Sequence, residues 1–205
     1  MTNQYRKSLI MVSGFAGSGK DTLADLIMDA VPEGRKSHWT DKFKFADQLK
    51  NALQDSLASI GVDVDVFTED RDEKAKMRPL LVEFGRFARS KNKDVFVNMM
   101  LADLDRHTKW VTEFEGMGWR FNETLVISDL RYLNELTITA KWCKDNYYDL
   151  HTVYIEKNGC EPANDEECDS LEELLRNHSF NTYVKAPPGV IEPIKLAAEK
   201  IYHSL

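Results

Sequence analysis

Cysteine is scarce in this chain, and what there is cannot staple a fold. Cys143, Cys160 and Cys168 are odd in number and lack the short paired spacings of a zinc site, so they read as free thiols of a reducing compartment whose ordinary role is packing. No stretch reaches the apolar length of a membrane-spanning helix, and the first strand pattern begins too soon for a secretory signal peptide, so the cytoplasm is the expected compartment. Positive charge is also short: 27 Lys and Arg against 34 Asp and Glu leave a net charge of -7. Duplex binding ordinarily draws on a basic face, so a broad nucleic-acid footprint is not expected and only a local basic cleft is left open. No internal repeat is visible. At 205 residues the chain fits one ordinary domain that needs neither disulfides nor metal clips, and an α/β domain is the default.

What the chain does have is Gly14-Phe15-Ala16-Gly17-Ser18-Gly19-Lys20-Asp21-Thr22, directly after the apolar run Leu9-Ile10-Met11-Val12. This order reads as a strand, a phosphate-cradling loop and a helix start. Glycines let the backbone turn so that successive N–H groups point inward, while Lys20 and the positive end of the next helix face the β- and γ-phosphates of a nucleoside triphosphate. Gly14, Ala16, Gly17, Ser18, Gly19, Lys20, Asp21 and Thr22 are the expected nucleotide contacts. The strict pattern has Ser or Thr where this chain has Asp21. A carboxylate is a hard oxygen ligand that can meet magnesium directly or through water, and Thr22 competes for that role. The bland alternative is a glycine-rich turn with Asp21 beside the helix dipole.

Leu23, Leu26, Ile27 and Ala30 recur at helical spacing, and Val31-Pro32-Glu33-Gly34 supplies the stop. Lys36 to Thr40 reads as a short second strand, and Phe43, Phe45, Ala46, Leu49, Leu53 and Leu57 predict a long amphipathic helix ending near Gly61. An acidic loop runs from Val62 to Phe67. Pro79 suits the first turn of a further helix, with Arg78 at its mouth, Leu80, Leu81, Phe84, Phe87 and Ala88 on one face, and Arg86 and Arg89 on the other. Val95 to His107 reads as a helix, followed by a connecting loop to Asn122. Thr124 to Ser128 is a continuous apolar run suited to a central parallel strand. Asp129 and Arg131 then emerge beside the phosphate loop if that strand neighbours the first. Leu133, Leu136, Ala140 and Cys143 continue as a helix, and Thr152 to Ile155 forms a fourth strand. The acidic, weakly periodic segment from Glu161 to Glu173 reads as a surface loop or a mobile lid. Thr182 to Lys185 is the expected fifth strand, Pro187-Pro188-Gly189 a turn, and Ile191 to Tyr202 the closing helix. The expected fold is a three-layer α/β/α P-loop domain with a five-stranded, mainly parallel sheet. Its core covers 8–60 and 124–205, a helical insertion 61–123, and a lid 158–178.

Chemistry beyond triphosphate binding rests on cations. Lys50, Lys74, Arg78, Arg86, Arg89 and Arg131 lie on segments that can converge on one cleft, and planar guanidinium forks suit the oxygens of a second phosphate. Two or three of the six are expected to be only surface charges, Arg86 foremost, because Glu83 lies three residues earlier on the same face. The Gly19-Lys20-Asp21-Thr22 loop, the Phe45-Ala46-Asp47-Gln48-Leu49-Lys50 segment, the Arg78-to-Arg89 helix with Phe84-Gly85, and Ser128-Asp129-Leu130-Arg131 with Asn134-Glu135 together resemble the phage-type deoxynucleoside monophosphate kinases. Similar landmarks in similar order occur in phosphomevalonate kinase. The likeness runs from about residue 8 to 135 and thins thereafter.

That resemblance implies ATP as phosphate donor with Mg2+, a deoxynucleoside 5'-monophosphate as acceptor, and a diphosphate as product. It implies a place in bacteriophage deoxynucleotide metabolism, in the host cytoplasm. Lys20, Asp129, Arg89 and Arg131 would carry catalysis, Lys50, Lys74, Arg78, Arg89 and Arg131 would hold the acceptor, and Asp21 and Asp129 would organise magnesium. Two departures bear on the base contacts. The family usually has a His-x-Ser-Glu-like element in its lid where this chain has Asp169-Ser170-Leu171-Glu172, and Pro187 stands about where an Asn helps hold adenine. Rival readings are a kinase for another phosphorylated metabolite, a kinase of a hydroxymethylated base in DNA with Asp129 or Asp47 as base, and a nucleotide-dependent switch. Trp39, Phe43, Phe87 and Tyr132 are candidates to stack on a base, against the more ordinary role of core packing. Base preference and oligomeric state, a homodimer included, are left open.

Overall fold

The computed structural model of the protein describes residues 5–30, 38–119 and 121–204. Its first strand, β1 (Lys7–Ser13), is buried from Ser8 onward, as an apolar run covered on both faces must be. In chain order it is followed by α1 (Lys20–Asp29), β2 (His38–Phe43), α2 (Phe45–Ser59), α3 (Arg71–Lys91), α4 (Val95–Gly116) and β3 (Asn122–Leu130). The chain continues through α5 (Leu133–Asp145), β4 (Asp149–Lys157), α6 (Asp165–Asn177), β5 (Thr182–Ala186) and α7 (Glu192–Ser204). The strands form one sheet in the order β2-β3-β1-β4-β5, and every neighbouring pair is parallel. The sheet is thus wholly parallel, and β3 does neighbour β1.

Alternation along β1 divides the core. Leu9 and Met11 join Leu125, Ile127, Met100, Leu104, Leu136 and Leu171 on one face, beneath α2, α4, α5 and α6. Ile10 and Val12 join Val126, Val153, Ile155, Leu23, Ile27 and Ile194 on the other, beneath α1 and α7. Successive side chains of a strand point to opposite faces, so a four-residue apolar run feeds both layers. Among the described residues no helix is long and apolar enough to cross a membrane.

Several boundaries differ from the sequence reading. The helix stop at residues 31–34 and the start of the second strand at Lys36 lie outside the described residues, and β2 runs through Phe43, which leaves the helical stripe expected of it. Pro79 lies inside α3, which starts eight residues earlier than expected. The start is made by Asp70, whose carboxylate accepts the amides of Asp72 and Glu73 at 3.0 and 2.9 Å. α4 continues past His107 to Gly116, because Trp110, Val111 and Phe114 extend its packed face. The acidic segment after Glu161 is a helix from Asp165, with Glu167, Ser170, Leu171 and Leu174 as its buried stripe.

Candidate active site

The loop between β1 and α1 is built from left-handed or otherwise positive-φ glycines: Gly14 at φ 145°, Gly17 at 76° and Gly19 at 103°. Gly19 is the N-cap of α1, so the first free amides of that helix face the loop. Lys20 folds back over it, its Nζ donating to the carbonyls of Gly14 and Phe15 at 2.7 Å each. Burial and the neighbouring Arg131 push the Lys20 ammonium down from its ordinary pKa, against the pull of Glu167, Asp129 and Asp21.

Asp21, in the first turn of α1, accepts a hydrogen bond from Ser128 Oγ at 2.8 Å and pairs with Lys44 Nζ at 2.7 Å. Burial alone would raise its carboxyl; the Lys44 and Ser128 contacts hold it below the usual value. Burial pulls the Lys44 ammonium down, but its hydrogen bond to Asp21 and the charges of Asp21, Asp47 and Asp129 together raise it above its ordinary value. Asp129, near the C-terminal end of β3, accepts the Phe45 and Ala46 amides at 2.8 Å each, one on each carboxylate oxygen. It therefore caps α2. Burial pushes its carboxyl up against those two amides.

Beside this loop opens a cleft of about 340 Å³ whose walls include Lys50, Lys74, Arg78, Arg89, Asp129 and Arg131. All five cations expected to hold a second phosphate are thus brought together. Arg86 is excluded from it and pairs with Glu83 at 2.6 Å, as the sequence predicts. Between the cations the walls are apolar at Leu49, Val66, Met77, Leu81 and Phe96 and polar at Glu135, Asn164, Glu166 and Glu167. Lys50 lies over the Phe67 ring at 5.0 Å, and Lys74 pairs at the surface with Glu69 at 2.6 Å.

Arg89 is fixed on three sides. Its guanidinium donates to Glu166 at 2.7 Å, lies over the Tyr132 ring at 4.9 Å and over the Phe96 ring at 5.7 Å. Tyr132 donates its hydroxyl to the same Glu166 oxygen, which together with burial raises the phenol pKa. Gly85, one turn before Arg89, leaves room for this: a Cβ there would meet both terminal guanidinium nitrogens at 3.4 Å and Leu49 at 3.2 Å. Arg131 pairs with Glu167 at 3.3 Å. Below it, buried Glu135 accepts the Arg131 and Tyr132 amides at 2.9 and 3.1 Å.

Of the four aromatic candidates, Tyr132 alone lines the cleft. Phe87 is 63% exposed rather than packed, Phe43 packs against the core, and Trp39 stacks on Trp110 at 4.8 Å beside the edge strand β2. Lys44, Glu166 and Glu167 were missed by sequence reading. Lys44 precedes α2 as an unremarkable lysine, and the glutamates sit in a run of acidic residues that reads as a solvated surface. The cysteines are free thiols, Cys143 buried and the other two half-buried.

For a magnesium ion the donor chemistry fits at Asp21: a carboxylate at the loop, a serine hydroxyl on it, and an ammonium already held where positive charge is wanted. Asp129 retains only the lone pairs that Phe45 and Ala46 leave free. Among the described residues no group of three or more His, Cys, Asp or Glu side chains gathers as a metal cage.

No protein-family model matches the chain, and no curated protein matches it in sequence. Its overall shape is similar to that of several solved structures. One is the APS kinase of Mycobacterium tuberculosis in complex with AMPPNP and APS, at 14% identity over 97% of this chain and 97% of that one, with a TM-score of 0.43. A second is the tunicamycin resistance protein of Deinococcus radiodurans, at 17% identity over 97% and 95%, TM-score 0.48. A third is a gluconokinase from Sinorhizobium meliloti, at 14% identity over 98% and 94%, TM-score 0.45. At these identities and scores the similarity assigns this chain no activity.

Proposed function

We propose that the protein is a kinase that transfers the terminal phosphoryl group of ATP to a deoxynucleoside 5'-monophosphate, giving the diphosphate and ADP. One observation carries this reading: a cleft with Arg78, Arg89, Arg131, Lys50 and Lys74 on apolar walls opens beside a phosphate loop. A small anionic ester with a flat apolar part suits such walls, the guanidiniums taking its phosphate and Leu49, Val66, Met77 and Phe96 its ring. In this reading residues 61–123 form the acceptor-binding insertion and 158–178 the lid.

The monophosphate needs no general base, since with a second pKa of about 6 it is largely a dianion at neutral pH. Its oxygen attacks the γ-phosphorus, the bond to the β–γ bridging oxygen breaks, and the electron pair leaves with ADP. The chain's part is alignment and charge neutralisation. Lys20 leaves the Gly14 and Phe15 carbonyls for the β- and γ-oxygens, and the loop amides hold the donor. Arg131, beside Lys20, meets the group in flight, while Arg89 and Arg78 hold the acceptor. Asp21, with Asp129 near it, would hold magnesium, which when bound supplies charge neutralisation on the donor phosphates.

A phosphate acceptor is favoured over a hydroxyl on DNA because, of the two candidate bases, Asp129 gives both carboxylate oxygens to backbone amides and Asp47 does not line the cleft. It is favoured over a switch because a switch has no second substrate for which a cleft lined by five cations would be needed. The test is a screen of the common deoxynucleoside monophosphates with ATP and magnesium, following ADP release and product by chromatography. The expected result is ADP formation that requires a monophosphate, with one or two bases preferred. ATP binding without any monophosphate-dependent ADP release would overturn the reading, and label transferred to hydroxymethylated DNA would replace it.

A further inference from the structure

Arg131 follows β3 by one residue, and its side chain is 43% exposed. A long cation so placed spreads over many rotamers, whereas a charge that must meet a transferring phosphoryl group has to stand within a fraction of an ångström of its place. Glu167 faces it from the second residue of α6 after Asp165. The Glu167 side chain is 1% exposed. Its Oε2 accepts the Ala163 amide at 2.7 Å, while Asn164 accepts the Glu167 amide at 2.8 Å, a reciprocal cap that locks the carboxylate. The cap uses one oxygen. The other, Oε1, is buried without a hydrogen bond and lies 3.3 Å from Arg131 Nη2. A neutral amide would serve the cap equally well, and a buried charged oxygen lacking a full partner is costly to the fold. The neighbouring Glu166 is different in kind, being half-buried and satisfied by Arg89 and Tyr132.

We propose that Glu167 is a positioning residue: its locked, buried carboxylate holds the Arg131 guanidinium over the space between Lys20 and the acceptor cleft before substrates arrive. The inference rests on the kinase reading for its kinetic consequence, though not for its structural one. Ordering Arg131 in the free protein removes rotamer entropy that would otherwise be lost in the transition state. A contact of this kind acts on kcat more than on the affinity for either nucleotide.

Glu167→Gln separates the two duties, since the amide oxygen still accepts from Ala163 while the charge facing Arg131 is gone. The expected result is a melting temperature within a few degrees of the parent, KM values for ATP and acceptor within about twofold, and kcat lowered about tenfold or more. Combined with Arg131→Ala, the substitution should lower kcat no further than Arg131→Ala does alone. Ile201→Ala, which opens the core on the opposite face of the sheet beneath α7, is the stability control and should lower the melting temperature with kcat kept. If Ile201→Ala lowers kcat as much as Glu167→Gln, or if Glu167→Gln keeps the parent kcat, or if its loss adds fully to that of Arg131→Ala, the proposal is overturned. Nuclear magnetic resonance relaxation of the Arg131 Nε–Hε group needs no substrate. Restricted motion in the parent and free motion in Glu167→Gln supports the assignment even where no monophosphate is turned over, an outcome that would remove the kinase reading alone. Equal mobility in both proteins overturns it.

Discussion

At Gly14 the backbone turns with φ 145°, and a Cβ there would lie 2.4 Å from the Ile155 carbonyl oxygen and 2.8 Å from Ser18 Oγ. Neither neighbour can give way, because Ile155 is a buried residue of β4 and Ser18 is buried inside the loop. Gly17 also has a positive φ, 76°, close to the left-handed region, and its Cβ would meet only Cys160 Sγ, at 3.9 Å. The two positions therefore separate steric clash from conformational preference. Gly17→Ala should cost about 1 to 2 kcal/mol, the left-handed penalty of an ordinary side chain. Gly14→Ala adds overpacking of about 1 to 3 kcal/mol against rigid backbone, and the shift it forces on the loop amides should abolish ATP binding. Urea denaturation and titration with a fluorescent ATP analogue check both effects. Equal losses at the two glycines would mean that backbone preference, not the Ile155 carbonyl, decides the choice of residue. The same close fit explains Lys20: with Gly14 and Phe15 carbonyls 2.7 Å from its ammonium, the free loop is already held in shape by the cation that later turns to phosphate.

The first turn of α5 gathers the site's backbone, because Glu135 accepts the amides of Arg131 and Tyr132. Burial, reinforced by the nearby Asp129 charge, pushes the Glu135 carboxyl up to about 8 from an ordinary value of 4.5, against those two amides. Between these values the unfolded chain gives up the proton while the folded one keeps it. Stability from this group is thus complete below about pH 4.5, falls as pH rises, and is gone once pH passes about 8. Glu135→Gln keeps an acceptor for both amides and removes the titration, so its stability relative to the parent should be more favourable at pH 8 than at pH 5. Urea midpoints of the two proteins at both pH values measure this, and a difference independent of pH would contradict it. How legible such elements were depended on their stripes. β1 and β3 announced themselves by unbroken apolar runs, and the order of β1, loop and α1 was readable because glycine, lysine and helix pattern agree. That Asp165–Asn177 is helical is not legible because its buried stripe opens with Glu167 and Ser170, whose burial is stabilised by capping and by a bond to a carbonyl rather than by apolarity. α3 was started too late because Pro79 is a louder signal than the Asp70 cap. The cations of the cleft were legible as residue types, but their partners were not: Arg89 and Glu166 are 77 positions apart, a pairing set by the sheet order.

The sheet sets that order by placing β1 at the centre, so that the phosphate loop, Asp129 and Arg131 all leave the carboxyl ends of adjacent strands. This is where ligands bind in open parallel sheets, since the helices that cross over leave a crevice there. Around that crevice the chain carries a net charge of -7, and an incoming dianion meets two opposed fields. The overall charge repels it, and the cations of the cleft attract it. Distance decides between them. Most acidic groups lie outside the cleft and are muted by the roughly 10 Å screening length at 0.1 M salt, and Glu166 and Glu167 within it are paired with Arg89 and Arg131, whereas the cleft's cations meet an incoming anion at contact. Local attraction should therefore dominate, and it should weaken as added salt shortens the screening length toward about 3 Å at 1 M. Arg131 is half-exposed and Lys74 and Arg78 are exposed, so they are screened readily; Lys20 and Arg89, more buried, are not. Taking KCl from about 0.05 to 0.5 M is expected to raise the KM of the monophosphate several-fold while kcat changes by less than about twofold. Neutralising Lys74 by Lys74→Gln should flatten the dependence without removing it. A KM that falls with salt would mean that the dianion is governed by the acidic exterior, and that the cations of the cleft are not what receives it.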